Sequence, residues 1–302
     1  IINIIAKLSL LVLLASVGSS AWAVNNSLSF DGTDDHVSVA DHNDLNLKDV
    51  ITISTWVYLD SAPAFWTRLV GKGINTTITY GLWLSNSRQL LWQTSGETAG
   101  AGVSLTSSSV LSLNTWHHIV VTKSGSVATI YIDGEAENTT ESYSGNSKTS
   151  SEPLTIGGSP DMNDMFNGKI DEVAIWSSSL TSTEITALYG GTAGTAGTGT
   201  PLSAASDSGN YVSSANLVAY YTMDSNSGTG TSLADDSTNS NTGTLTNMVT
   251  SGASTDWTAF NATQSLTSAG VAEGGTTHQY TIKLNQEPTS DVTVTLTNSD
   301  SG

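Results

Sequence analysis

Short runs of apolar and β-branched residues, separated by clusters of Gly, Asn, Ser and Asp, fill residues 27–189. Many of these runs alternate: in VATIYID, Ala128, Ile130 and Ile132 share one face of a strand, and the residues between them share the other. Strands at this spacing are typical of an all-β antiparallel sandwich or jelly roll. The segments that predict strands are ITISTWVYL (51–59), TYGLWLS (79–85), QLLWQT (89–94), TWHHIVVTK (115–123), VATIYIDG (127–134) and PLTIGG (153–158).

One helix is predicted near the end of this region. It begins at STE (182–184), which supplies a capping hydroxyl and a first-turn acid, and it ends at GG (190–191). Residues 24–190 are therefore expected to form one domain.

The composition changes after residue 190. The run GGTAGTAGTGT (190–200) is of low complexity and indicates a flexible linker, which we place at residues 191–214. LVAYYTMD (217–224) then predicts a further strand. Residues 215–260 either begin a second, incomplete unit or add a strand to the first one, and residues 261–302 contain two more alternating strands.

Residues 1–23 have the layout of a secretory signal peptide. They contain Lys7, an apolar run at 8–15 and a small-residue ending at Ala21-Trp22-Ala23. The apolar run is too short for a membrane anchor, because a spanning helix needs about 20 residues. We expect cleavage after Ala23, a secreted or cell-surface protein, and no membrane insertion once the signal is removed.

The charge narrows the range of partners. The formal net charge is −18, from 27 acidic and 9 basic residues, and removal of Lys7 with the signal makes it −19. Nucleic acids and anionic membranes require basic patches, so neither is an expected partner. The excess of carboxylates is compatible with the binding of divalent cations. The chain has no cysteine, which excludes disulfides, thiol catalysis and cysteine-ligated zinc.

Four motifs occur in one order along the chain. They are LSFDGTDDHVSV (28–39), WHHIVVTKSGSVATIYIDGE (116–135), PLTIGG (153–158) and FNGKIDEVAIWSSSLTSTEITALY (166–189). Together they resemble the LamG-like members of the concanavalin A-like jelly-roll superfamily. The resemblance implies a sandwich of two curved antiparallel sheets that binds a glycan or an extracellular protein, often with calcium.

The resemblance also bears on the C-terminal part. In many relatives a segment like LVAYYTMDSNSGTGTSLADDSTNSNTGTLTN precedes the FDG strand, whereas here it follows the domain. Residues 215–260 are therefore a partial LamG-like segment or an added strand. Residues 261–302 resemble the start of a Calx-beta-type repeat.

The acidic residues near both ends of the domain suggest a metal site. Asp171 lies in a strand with apolar neighbours, where a carboxylate is costly unless it is paired or metal-bound. In the resembling family the first and last strands are neighbours and can hold calcium. Our hypothesis is that Asp31, a carbonyl near Gly32 and Asp171 bind one structural Ca²⁺, while Asp34 and Asp35 form a solvated turn. The alternative is a hydrogen-bonded turn of Asp31 and Asp171, in which two close carboxylates would repel each other.

Aromatic residues are the candidates for ligand contact. Trp66 lies in the loop APAFWTR (62–68). Trp66, Tyr80 and Trp92 are predicted to contact a sugar ligand. For tryptophans within strands, packing in the core is the alternative. His117 and His118 point to opposite faces of a strand and cannot chelate one ion together.

No catalytic motif is present in the sequence. Laminarinase-type relatives carry Glu-x-Asp-x-x-Glu on one strand, and the chain lacks it, as it lacks a Gly-x-Ser-x-Gly or His-Glu-x-x-His run. We therefore expect no enzyme activity. Two functions remain: a carbohydrate- or protein-binding module, or a structural spacer of a modular adhesin.

Overall fold

A computed structural model of the chain describes residues 26–74, 76–97, 102–142, 147–190, 203–224, 230–251 and 255–259. The predicted signal peptide and the Calx-beta-like segment lie outside these residues. The strands, in chain order, are β1 (Asn26–Asp31), β2 (His36–Val39), β3 (Val50–Tyr58), β4 (Thr67–Lys72), β5 (Tyr80–Leu84), β6 (Leu90–Thr94), β7 (Val103–Thr106), β8 (Trp116–Ser124), β9 (Val127–Ile132), β10 (Glu135–Ser142), β11 (Leu154–Ile156), β12 (Asn167–Trp176), β13 (Leu217–Tyr221), β14 (Ser232–Leu233), β15 (Gly243–Thr246) and β16 (Trp257–Ala259). One α-helix, α1 (Ser182–Leu188), and 3₁₀ turns at Asn43–Leu45 and Ser214–Asn216 complete the described elements.

The strands form two antiparallel sheets that pack face to face. The first sheet has the order β10, β9, β8, β3, β12, β1, β16, with β13 also paired to β12, and the second has the order β14, β15, β2, β11, β4, β5, β6, β7. This confirms the predicted all-β sandwich of the concanavalin A-like type. The predicted strands agree with the observed ones to within one or two residues at most ends.

The main core lies between the two sheets. The alternation in β9 sends Ala128 and Ile130 into this core with no exposed surface, while Val127 on the other face is 45% exposed. Trp92 and Phe166 are among its largest buried side chains. Burial of apolar surface between the sheets is the main force that holds them together.

Strand β12 has different neighbours along its two halves. Its first half pairs with β1, from Asp31 opposite Asn167 to Leu28 opposite Ile170, and its second half pairs with β13. The register with β3 shifts between Asp171 and Ala174, and Glu172 has a φ of +52°. A β-bulge with a residue in the left-handed region therefore separates the halves.

The described parts of the segment after residue 216, at 217–224, 230–251 and 255–259, belong to the same sandwich. Strands β13 and β16 extend the first sheet, while β14 and β15 extend the second beside β2. This pairing favours the alternative of added strands over that of a second unit. The expected boundary after residue 190 therefore does not separate two folded parts, because backbone hydrogen bonds join the segment to β1, β2 and β12.

A smaller apolar cluster covers the outer face of the first sheet. Helix α1 has the predicted cap, since the Thr181 side chain accepts the Glu184 N–H and Glu184 reaches back to Thr181. Residues 203–214, expected to be linker, lie against the helix and β12 through the fully buried Tyr211. The Tyr211 hydroxyl accepts a hydrogen bond from Trp176 Nε1 at 2.8 Å and donates to the Ala204 carbonyl at 2.8 Å.

The role of this cluster can be tested at Tyr211. The change Tyr211→Phe leaves a buried indole N–H and a buried carbonyl unpaired, each at a cost of about 1–3 kcal/mol. We expect thermal unfolding several degrees below that of the wild type. Val212→Ala, which trims a side chain that is 66% exposed, serves as the control and should change little. Equal melting temperatures for Tyr211→Phe and the wild type would show that residues 203–214 do not stabilise the sandwich.

Candidate functional site

Three long loops emerge from one end of the sandwich, which we call the loop end. The end of β1 and the end of β3 both pair with the start of β12, so loops 32–35, 59–66 and 157–166 leave in the same direction. A hydrogen bond of 2.9 Å from the Arg68 N–H to the Asp164 carbonyl joins the start of β4 to loop 157–166. The loop end therefore groups side chains that are far apart in sequence.

Two adjacent aromatic side chains project from the loop end. Phe65 is 79% exposed and Trp66 is 43% exposed, and we call this pair the aromatic tip. Large apolar side chains rarely stay this exposed side by side without a binding role. The sequence predicted Trp66 as a ligand contact, and the position of Trp66 in a loop explains its exposure. No role was predicted for Phe65, although the two residues are adjacent.

Tyr80 and Trp92 do not contact solvent. Both side chains are fully buried between the sheets, with ring centroids 6.4 Å apart and planes within 7° of parallel. The Tyr80 hydroxyl donates to the Leu45 carbonyl at 3.0 Å. Their prediction as ligand contacts is therefore wrong, because strands β5 and β6 direct both rings into the core.

The structure does not bring Asp31 and Asp171 together. Asp31 pairs with Asn167, four residues before Asp171 on β12, which places the two about 13 Å apart along the strand. Ligand oxygens lie about 2.4 Å from a calcium ion, so the two carboxylates cannot share one. The predicted pairing, with the carbonyl near Gly32 as a third ligand, has to be corrected.

Asp31 instead belongs to an acidic turn with Asp34 and Asp35. One carboxylate oxygen from each of these residues lies within 4.8 Å of the others. The turn is held by its own bonds, since Asp31 accepts the Thr33 N–H at 2.7 Å and Asp35 accepts the Asp31 N–H at 3.0 Å. Burial raises the pKa of Asp35 to about 6. Asp31 is exposed and Asp34 is half-buried, but Asp35 is only 5% exposed, so the prediction that Asp35 belongs to a solvated turn is wrong.

A second acidic group lies at the bulge of β12. Asp171 has no exposed surface, and within the described part of the chain its Oδ1 accepts only the Glu172 N–H, at 2.9 Å. Its Oδ2 is buried and accepts no hydrogen bond from the described residues. Glu172 accepts from the Tyr220 hydroxyl, and Asp224, just beyond β13, accepts the Asn26 N–H at 2.6 Å.

These three carboxyls resist ionisation. Burial, followed by the charges of Glu172 and Asp224, raises the pKa of Asp171 well above its usual range. Burial also raises the pKa of Glu172 to about 7 and that of Asp224 to about 6, although hydrogen bonds from Tyr220 and Asn26 act in the opposite direction. Among the described residues, no basic side chain forms an ion pair with any of the three.

The buried Oδ2 of Asp171, which has no hydrogen-bond partner among the described residues, is a suitable ligand for a hard cation. Calcium takes six to eight oxygen ligands from carboxylates, carbonyls and water, and an uncompensated buried carboxylate is costly. Sequence reasoning found Asp171 but missed Glu172 and Asp224 as its partners. Asp224 ends the predicted strand LVAYYTMD, and only the pairing of that strand with β12 would have placed it beside Asp171.

The two adjacent histidines take separate roles, as expected. His118 is 1% exposed, stacks on Tyr189, contacts the Trp56 ring at a tilt, and forms a hydrogen bond with Ser54 Oγ at 2.8 Å. His117 pairs with Asp133 on the other face. Neither pairing forms a metal centre.

Several solved structures are similar to the chain at low identity. A candidate carbohydrate-binding protein from Bacteroides ovatus ATCC 8483 is 18% identical, with a TM-score of 0.52 over 74% of this chain and 58% of that chain. The chain thus spans less than two thirds of that protein. The heptameric SAP-like pentraxin of Limulus polyphemus is 12% identical, with a TM-score of 0.43 over 56% of this chain and 83% of that chain.

A third match is domain 4 of an extracellular arabinanase from Geobacillus stearothermophilus, solved with arabinotriose. It is 16% identical, with a TM-score of 0.43 over 53% of this chain and 74% of that chain. No curated protein sequence matches the chain. The family model described as the concanavalin A-like lectin/glucanases superfamily matches residues 31–186, just over half of the chain, and the chain therefore belongs to that superfamily.

Proposed function

We propose that this chain is a non-catalytic, secreted or cell-surface binding module that recognises a carbohydrate through the aromatic tip. The observation that carries the proposal is the exposure of Phe65 and Trp66 side by side at the loop end. An aromatic ring offers a flat apolar face to the C–H face of a pyranose ring. Membership of a superfamily that includes lectins agrees with this function.

The loop that carries the tip is supported on both sides. Asp60 at its start lies 3.7 Å from Lys169 Nζ on β12, and Arg68 just after it is fixed to loop 157–166 through the Asp164 carbonyl. The Arg68 guanidinium is itself buried over the Trp83 ring, 4.5 Å from its centroid. A supported loop loses less conformational entropy when it binds a ligand.

The superfamily also includes glucanases, so the absence of catalysis is part of the proposal. Glycoside hydrolysis needs two carboxyls about 5–9 Å apart on either side of a bound sugar. The strongest carboxyl cluster, at Asp171 and Glu172, lies beneath Tyr220 and the outer apolar cluster, where a saccharide could not reach it. It is therefore suited to a structural role.

Export follows from the leader-like residues 1–23. Within the described residues, no helix is both long and apolar enough to cross a membrane. An extracellular protein is the alternative ligand, and a spacer without any ligand is the alternative function.

The proposal includes one structural Ca²⁺ at the bulge of β12. Asp171 would hold it, with Glu172 and Asp224 turning their carboxyls toward the ion, because these groups lack a cationic partner among the described residues and Asp171 Oδ2 is unsatisfied. When bound, the ion would supply the positive charge that these groups lack. The residues themselves join β12 to the end of β13, and Asn26 adds the start of β1 through its N–H. The acidic turn is the alternative site, since only there do three carboxylate oxygens of described residues lie within 4.8 Å of one another.

Carbohydrate binding can be tested on a glycan array with the exported chain, in calcium and in chelator. We expect a bound glycan whose affinity drops at least tenfold, or about 1.4 kcal/mol, in Trp66→Ala and in Phe65→Ala. Val127→Ala, which trims an exposed apolar residue at the opposite end, is the control. A chain that binds no glycan in either condition would favour the spacer, and loss of binding in Val127→Ala would place the site elsewhere.

The calcium site predicts a ligand-dependent stability. Binding to the folded state at a hundredfold excess over Kd adds about 2.7 kcal/mol, which corresponds to a rise of several degrees in melting temperature. Asp171→Asn and Asp224→Asn should remove this rise, whereas Asp34→Asn in the acidic turn should keep it. A rise that persists in Asp171→Asn but is lost in Asp34→Asn would move the ion to the acidic turn.

The same carboxyls predict the pH dependence of the calcium-free protein. Their ordinary pKa values of 3.8 for Asp and 4.5 for Glu rise on folding, to about 6 for Asp224 and about 7 for Glu172. At pH values between the ordinary and the raised pKa of each group, the folded state binds more protons than the unfolded state. The free energy of unfolding therefore falls as the pH rises. In chelator, we expect a lower denaturation midpoint at pH 8 than at pH 5, and calcium should reduce the difference. A midpoint that rises from pH 5 to pH 8 in chelator would contradict the assignment.

A further inference from the structure

Acidic side chains flank the aromatic tip. Asp60 begins the loop that carries the tip, and its side chain is 51% exposed. Asp161 is exposed and Asp164 is half-buried on the neighbouring loop 157–166. A hydrogen bond from the Ser159 hydroxyl to Asp161, at 2.6 Å, lowers the pKa of Asp161, so this carboxyl stays ionised at neutral pH.

The acidity continues beyond these two loops. The acidic turn of Asp31, Asp34 and Asp35 lies beside loop 157–166, because Asp31 pairs with Asn167 at the start of β12. Asp256 lies close enough to raise the pKa of Asp35 further, after the larger effects of burial and Asp31. The loop end thus presents carboxylates from three separate parts of the chain.

Basic groups at this end are already engaged. Among the described residues, Lys169 lies 3.7 Å from Asp60 and 4.3 Å from the centre of the Tyr58 ring. Arg68 is 1% exposed beneath the loop, and Arg88 donates to the Leu111 carbonyl at 2.7 Å. The carboxylates of loops 59–66 and 157–166 therefore outnumber the available cations, and the surface around the tip carries a negative potential.

The aromatic tip and the negative potential around it together should discriminate among saccharides by their charge. An anionic saccharide would be repelled, since like charges placed together at an interface cost binding energy. A neutral saccharide can stack on the tip, but its hydroxyls make ordinary hydrogen bonds to carboxylates. A protonated amine makes charge-assisted hydrogen bonds, which are about twice as strong, and also interacts favourably with the face of an indole ring.

We propose that the aromatic tip and the carboxylate of Asp161, within the negatively charged loop end, recognise a saccharide that carries protonated amino groups. The inference rests on the proposed carbohydrate binding and specifies its ligand class. The ring faces supply the stacking surface, and the carboxylates supply the charge complementarity that favours an amino sugar over its neutral counterpart.

Three tetrasaccharides with the same β-1,4-linked backbone test the inference by calorimetric titration of the exported chain. They are the tetramers of glucosamine, of N-acetylglucosamine and of glucose. We expect the glucosamine tetramer to bind at least tenfold more tightly than the other two. The preference should shrink at high salt, which screens exposed charges, and at a pH where the amine loses its proton.

Two variants with matched charge changes locate the preference. The change Asp161→Asn should remove most of the preference for glucosamine, while the residual stacking affinity persists. Glu97→Gln, at the opposite end beside Lys48, removes an exposed carboxylate and should leave the preference intact. Loss of the preference in Glu97→Gln would show that overall charge, and not this site, is responsible.

Other outcomes would overturn the inference. Equal affinity for the three tetramers would reject the amino-group preference and leave carbohydrate binding in place. Binding of an oligolysine peptide as tight as that of the glucosamine tetramer would assign the surface to basic protein segments. If none of the tetramers binds, the inference fails, and the glycan array still decides whether the chain binds carbohydrate at all.

Discussion

Strand β12 pairs with three other strands, and the rest of the sandwich is arranged around it. Strand β3 runs along one edge, while β1 and β13 share the other edge on either side of the bulge at Asp171 and Glu172. The shift of register against β3 lies at the position where the neighbour on the other edge changes from β1 to β13. The second half of that edge is where the C-terminal segment joins the first sheet.

This arrangement has an electrostatic consequence. The bulge places two successive carboxyls on the outer side of β12, where the segment around Tyr220 covers them and where Asp224 arrives from β13. Buried carboxylates without a cation raise the free energy of the folded state unless they take up protons. The stability of the joint between β12 and β13 is therefore linked to pH and to cations, while the loop end at the start of β12 lies apart from this cluster.

The sequence predicted best those features that depend on residues close together in the chain. Alternation within β9 and the cap of α1 depend on neighbouring residues, so the pattern predicted both. Contacts that depend on topology were missed: Tyr80 and Trp92 occur in strands whose inward face the pattern did not reveal, and the register that places Asp31 opposite Asn167, and not opposite Asp171, leaves no local signal. Trp66 could be found because a proline-containing loop between strands predicts exposure.

The central claim is that the loop end, and not a sheet face, binds saccharide. Chemical-shift mapping by NMR on the isotopically labelled chain, with a saccharide that it binds, tests this most directly. We expect the largest shifts of backbone amides at residues 60–66 and 159–165, with small changes in β5 and β6. Large shifts along the exposed faces of the sheets, with none at Phe65 and Trp66, would contradict it.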